Sequence, residues 1–153
     1  MNKILKILIT IFILSGCSYE PILLKKNYNF KFEKIESKGE ISINEDIKNS
    51  LSEQTNNENA NKYDLYFSSK KKREIVSSNR KGDPSIYKIS IEIDYSLTSN
   101  GQVVLQNEIS KQATYNNIDD KFDLLNYEKN IIKNLSQRFA EDILISITTL
   151  EKW

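Results

Sequence analysis

The clearest strand pattern in the chain is an alternation of apolar and polar residues from Tyr87 to Thr98. Tyr87, Ile89, Ile91, Ile93, Tyr95 and Leu97 share one face of an extended strand, and Lys88, Ser90, Glu92, Asp94, Ser96 and Thr98 share the other. Successive side chains of a strand point to opposite sides, so this segment has one dry and one wet face, as in an antiparallel sheet covered on one side only. Two shorter alternations precede it. Tyr28, Phe30 and Phe32 predict a first strand, and Gly39 breaks its pattern. Tyr63, Leu65 and Phe67 predict a second, which runs into Ser68, Ser69 and the cations Lys70 to Arg73, with Ile75 and Val76 in line to continue it. The stretch Ser77 to Ser85 contains Gly82-Asp83-Pro84 and reads as a turn.

After Ser99-Asn100-Gly101 a fourth strand returns from Gln102 to Tyr115, with Val103, Leu105, Ile109, Ala113 and Tyr115 at odd positions. A two-residue Asn-Gly loop pairs Ser99 with Gln102 and sends the two apolar sets to opposite faces. A three-residue loop pairs Thr98 with Gln102. It sets Leu97 opposite Val103, Tyr95 opposite Leu105 and Ile91 opposite Ile109, so the three-residue turn with a bulge is the expectation.

Two segments carry helical spacing. Ser42 and Glu45 have the spacing of a capping box, and Ile43, Ile47 and Leu51 follow at four-residue steps, giving a short helix to about Gln54 and a polar loop over 55–62. Near the C-terminus Leu124, Ile131, Leu135, Phe139, Ile143, Ile147 and Leu150 form one stripe, widened by Ile132, Ala140 and Leu144. Asp119, Asp120 and Asp123 stand at its start, where acids suit the helix dipole. The element order is β-α-β-β-β-α. The expected fold is α+β, a four-stranded, mostly antiparallel sheet with two helices packed on one face.

The first seventeen residues differ in kind. Lys3 and Lys6 make a positive start, Ile7 to Leu14 is an apolar run interrupted only by Thr10, and Leu14-Ser15-Gly16-Cys17 follows. The run is shorter than the roughly 20 apolar residues a membrane-spanning helix needs, so it reads as a secretory signal. The tetrapeptide resembles a bacterial lipobox, which implies cleavage before Cys17, lipidation of its sulfur and an anchor in the membrane. Ser18 after the cysteine implies, by the same resemblance, sorting to the outer membrane. The expected organisation is a signal peptide over 1–16, a lipidated tether over 17–27 and a single domain over 28–153.

Composition narrows the chemistry. Beyond Cys17 the loss of Lys3 and Lys6 leaves 20 bases against 21 acids, without the basic excess of a general nucleic-acid binder. There is no His and one Cys, so the usual metal ligands, a His-based triad and an internal disulfide are all missing. Four Gly and no phosphate-cradling loop leave no cofactor motif. Asp119 and Asp120 lack a positioned base or nucleophile and suit a helix start better than catalysis. No catalytic, cofactor or metal residue is expected.

Taken together, Leu14 to Cys17, the following Tyr19-Glu20-Pro21, the strand from Tyr87 to Leu97 and the terminal stretch from Tyr127 to Leu150 resemble the LPS-assembly lipoprotein family, LptE. The resemblance covers almost the whole chain as a pattern of elements, with Ile, Asn and Lys in the last helix where the family favours Ala. It implies a non-enzymatic outer-membrane lipoprotein that plugs an LptD-like β-barrel and helps deliver lipopolysaccharide. The other reading is an accessory outer-membrane lipoprotein of a different lipid-transport or secretion system.

Lys70, Lys71, Lys72 and Arg73, with Arg80 and Lys81 beyond the turn, are the candidate lipopolysaccharide-phosphate contacts, placed in a loop between strands two and three. The competing reading is a solvated charge run on a sheet edge, where Lys discourages aggregation. The in-phase aromatics read as core, and Tyr66, out of phase with Leu65 and Phe67, as exposed. Replacing Cys17 with Ala is expected to abolish incorporation of labelled palmitate and to release the chain from the membrane fraction; undiminished labelling would contradict the lipobox.

Overall fold

The computed structural model describes residues 28–52 and 61–150. The signal, Cys17, the tether and most of the 55–62 loop lie outside the described residues. The elements are β1 (Phe30–Gly39), α1 (Ile41–Ser52), β2 (Asn61–Ser78), β3 (Pro84–Ser99), β4 (Gln102–Asn116) and α2 (Lys121–Leu150). The strands form one sheet in the order β1-β2-β3-β4. β1 runs parallel to β2, and β2–β3 and β3–β4 are antiparallel. This is the α+β architecture expected, mixed but mostly antiparallel.

The core lies between the sheet and the two helices. Ile89, Ile91, Ile93, Tyr95 and Leu97 of β3 are buried, as are Leu65 and Phe67 of β2 and Phe30 of β1. Ile43, Ile47 and Leu51 of α1 and Phe139, Ile143 and Ile147 of α2 close over them. The α2 stripe is buried mainly from Leu135 onward; before it only Leu124 is. No helix among the described residues is long and apolar enough to cross a membrane.

β1 changes phase at a bulge between Phe32 and Lys34, after which Ile35 packs against the core. The strand continues to Gly39, where φ is +104° and a Cβ would run into the Ser69 carbonyl oxygen. Only glycine tolerates that conformation and approach together. The turn at Gly39 starts α1 at Ile41, so Ser42 lies inside the helix and the expected capping box does not form. Ser69 of β2 serves instead. Its Oγ accepts the Glu40 N–H at 2.9 Å and donates to Asn44 Oδ1 at 2.7 Å. At α2 the expectation holds, because Asp120 Oδ1 accepts the N–H groups of Phe122 and Asp123 at 2.8 and 3.1 Å.

The β3–β4 turn corrects the register. Asn100 and Gly101 have φ of 51° and 77°, and Ser99 pairs with Gln102, so the loop has two residues rather than three. The phase is restored one step further on. Leu97 pairs with Leu105 and Thr98 with Val103, leaving Val104 as the extra residue of a bulge. Tyr95 therefore faces Asn107 rather than Leu105, and Ile91 faces Lys111 rather than Ile109. Leu105, Ile109, Ala113 and Tyr115 still share the covered face, because the register is displaced by two residues and side chains repeat every two, while Val103 lies before the bulge, pairs with Thr98 and is exposed.

Ser69 joins β2 to the start of α1 from a buried position. Ser69→Ala is expected to destabilise the domain by about 1–3 kcal/mol, the cost of leaving buried polar groups unpaired. Ser68→Ala, on the opposite face, is expected to change stability by less than about 0.5 kcal/mol. Urea unfolding of both variants checks the contrast.

Candidate functional site

β1 ends where Gly39 pairs with Ser69. Among the described residues, β2 from Lys70 to Ser78 has only β3 beside it, and no described strand pairs with its other edge. The cation run begins at that point. Lys70 to Arg73 are not in the loop that the phosphate-contact reading expects but in the middle of an 18-residue strand, paired with Glu92, Ile91, Ser90 and Ile89, as in the competing reading of a charge run on a sheet edge. The connecting turn is confined to Asn79–Asp83, closed by hydrogen bonds from Asn79 N to the Asp83 carbonyl and from Gly82 N to the Asn79 carbonyl.

A strand splits a run of four between its two faces. Lys70 and Lys72 lie on the uncovered face, paired with Asp94 at 3.6 Å and Glu74 at 2.8 Å. Lys71 and Arg73 lie on the helix face, paired with Glu40 at 3.1 Å and Glu128 at 2.9 Å. The six candidate cations therefore do not converge. Lys72 is held above its ordinary pKa by its hydrogen bond to Glu74.

Arg73 makes the densest polar node of the domain. Its Nε donates to Glu128 Oε1 at 2.9 Å and to Tyr115 Oη at 3.1 Å, and Tyr115 Oη donates to the same Glu128 oxygen at 2.6 Å. The guanidinium carbon sits 3.8 Å from the centre of the Tyr87 ring, which stacks on Tyr115. Burial opposes charge on Arg73, but the bonds to Tyr115, Glu128 and Tyr87 outweigh it and raise its pKa. Burial, then the bond to Glu128, pushes Tyr115 up to about 12, against the pull of Arg73. This node ties the distal half of the β2–β3 hairpin to the first turns of α2. Its chemistry is that of a staple: an arginine, a carboxylate and two phenols saturating one another.

Arg80 and Lys81 differ. They sit at the exposed tip of the hairpin and have no ion pair among the described residues. The Lys81 N–H is fixed by Asn79 Oδ1 at 2.8 Å, which rigidifies the tip. Beside it lies a polar cleft of about 490 Å³, lined by residues that include Asn79, Asp83, Asn117, Asp119 and Lys121. No group of three or more His, Cys, Asp or Glu side chains suited to a metal occurs among the described residues. Tyr66 is exposed, as expected from its phase.

The Tyr115 pairing with Tyr87 follows from the hairpin register. Glu128 and Glu40, the partners that decide what Arg73 and Lys71 do, carried no signal in the sequence, because they are 55 and 31 positions away, Glu128 on a helix whose rotation had first to be known and Glu40 in the turn after Gly39.

The fold is that of a small class of α+β bacterial lipoproteins. A crystal structure of rare lipoprotein B from Shewanella oneidensis superposes with a TM-score of 0.59 at 12% identity, covering 77% of this chain and 96% of that one. A solution structure of lipoprotein B from Nitrosomonas europaea gives 0.57 at 13% identity, covering 84% and 91%. A putative lipoprotein from Caulobacter crescentus gives 0.54 at 17% identity, covering 75% and 88%. No curated protein sequence matches significantly. The model of the LptE family, described as lipopolysaccharide-assembly, matches residues 30–147, and the chain belongs to that family.

The Tyr115 phenol has a raised pKa in the folded state, so the stability it contributes is complete below its unfolded pKa of about 10. That contribution is lost as pH rises from about 10 toward 12. The difference in unfolding free energy between wild type and Tyr115→Phe is expected to shrink across that window; a constant difference would contradict the node.

Proposed function

We propose that this chain is a lipid-anchored, non-enzymatic subunit on the periplasmic side of the outer membrane. It seats inside an LptD-like β-barrel partner and helps deliver lipopolysaccharide through it. Family membership over residues 30–147 is the observation that carries the reading. The shape supports it. The sheet face away from the helices carries Lys70, Lys72, Glu74, Lys88, Glu92 and Asp94, and a water-filled barrel interior is lined by polar groups of the same kind. Cys17, by its lipobox, supplies the anchor, and several acyl chains at about 0.8 kcal/mol per buried methylene make the attachment stable.

The lipopolysaccharide phosphates are met by the hairpin tip. Of the six candidate cations, Arg80 and Lys81 are the two with no ion pair among the described residues. Lys70 and Lys72 follow, since exposed ion pairs are exchanged at little cost. Lys71 and Arg73 hold the hairpin to the helices and serve the fold first.

The test is a detergent pull-down from outer membranes with the tagged full chain. Near-equal recovery of a large β-barrel protein is expected; recovery of components of another transport or secretion system without a barrel would replace this reading with the accessory-lipoprotein one. On lipopolysaccharide micelles, the double variant Arg80→Glu, Lys81→Glu is expected to weaken binding about tenfold or more, since each lost cation–phosphate bond is replaced by repulsion. Unchanged binding would move the contact away from the tip.

A further inference from the structure

We propose that the open edge of β2, from Lys70 to Ser78, accepts an extended acidic segment of a protein partner as an additional strand. This goes beyond the proposed role in a barrel and stands without it.

The edge exists because β1 stops. Gly39 turns the chain into α1 opposite Ser69, so the nine residues that follow Ser69 have β3 on one side and no described strand on the other. The Asn61 N–H donates to the Asn29 carbonyl on the β1 side of β2. In a strand the direction of the backbone groups alternates. β2 has no irregularity until the step from Ile75 to Ser77. The N–H and C=O groups of Lys71, Arg73 and Ile75 therefore point to the open side. Three alternate residues whose outward donors and acceptors have no backbone partner among the described residues are the template that strand addition requires.

Charge selects the occupant. Four consecutive cations flank this edge, two on each face, with Glu74 as the acid that follows them. A second copy of the chain would bring the same cations against them, so self-pairing is opposed. An acidic strand is favoured on the uncovered face, where Lys70 and Lys72 stand. The pairs of Lys70 with Asp94 and Lys72 with Glu74 involve lysine side chains that are each 72% exposed, and these can turn to a partner at little cost. Lys71 and Arg73 keep Glu40 and Glu128 and contribute their backbone. At the far end Ile75 and Val76 are 58% and 54% exposed, giving an apolar step for a β-branched residue of the partner. The opposite sheet edge, β4, carries one acid and one base, Glu108 and Lys111, and has no such preference.

The test uses the full chain in detergent with two synthetic octapeptides, alternating Val-Glu and alternating Val-Lys, read by amide hydrogen exchange. The Val-Glu peptide is expected to slow exchange about tenfold or more at Lys71, Arg73 and Ile75, less so in high salt, while the Val-Lys peptide does nothing. In Lys71→Pro, which removes an outward N–H and no bond to β3, the protection should disappear while the β3 amides stay slow. Should that variant fail to fold, Lys70→Glu with Lys72→Glu supplies the check, because the preference should pass to the Val-Lys peptide. No protection, equal protection by both peptides, protection at β4 instead, or pairing of the chain with itself at this edge would each overturn the proposal.

Discussion

Six side chains of β3, from Tyr87 to Leu97, lie on one face of one strand and are buried. Removing them from water contributes on the order of 10 kcal/mol, more than any polar contact in the domain can offset. That face has to be covered, and the rest of the architecture follows. β3 sits between β2 and β4, the two helices lie over its dry side, and its wet side stays open. The burial of β3 also explains why the register slip at Val104 costs little: a bulge that restores the two-residue phase keeps Leu105, Ile109, Ala113 and Tyr115 on the covered face and leaves Val103 exposed beside the turn.

Coverage is uneven, and the unevenness creates the working surfaces. β1 protects only the first half of β2, and the β2–β3 hairpin then extends beyond it. The projecting half needs another fastening, and the Arg73, Tyr115 and Glu128 node provides it from the start of α2. Past that staple the hairpin ends in a rigid turn carrying Arg80 and Lys81. The hairpin is thus a firmly held shaft whose cationic tip has no ion pair among the described residues.

Much of this was legible in the residues. The alternation from Tyr87 to Thr98 and the stripe from Leu124 to Leu150 indicated strand and helix, and their faces placed the core. Tyr66 was correctly placed outside it. The misreadings have local causes. A bulge leaves no mark when the extra residue, Val104, is as apolar as its neighbours. Ser42 and Glu45 have capping spacing, yet Gly39 turns the chain first and hands the cap to Ser69, 29 positions after Glu40. At Lys70 to Arg73 both faces of the strand are charged and no period two is visible, so the same run also suited a loop. Which of the six cations were spoken for depended on Glu40, Glu74, Asp94 and Glu128, and three of those contacts are made across the fold.

The central claim is that the uncovered face of the sheet meets the wall of a β-barrel while the helices close the core behind it. A photocrosslinking residue at Glu92, exposed in the middle of that face, tests this in intact cells. The account predicts one dominant adduct with a large outer-membrane β-barrel protein. Adducts exclusively with soluble periplasmic or inner-membrane components would contradict it.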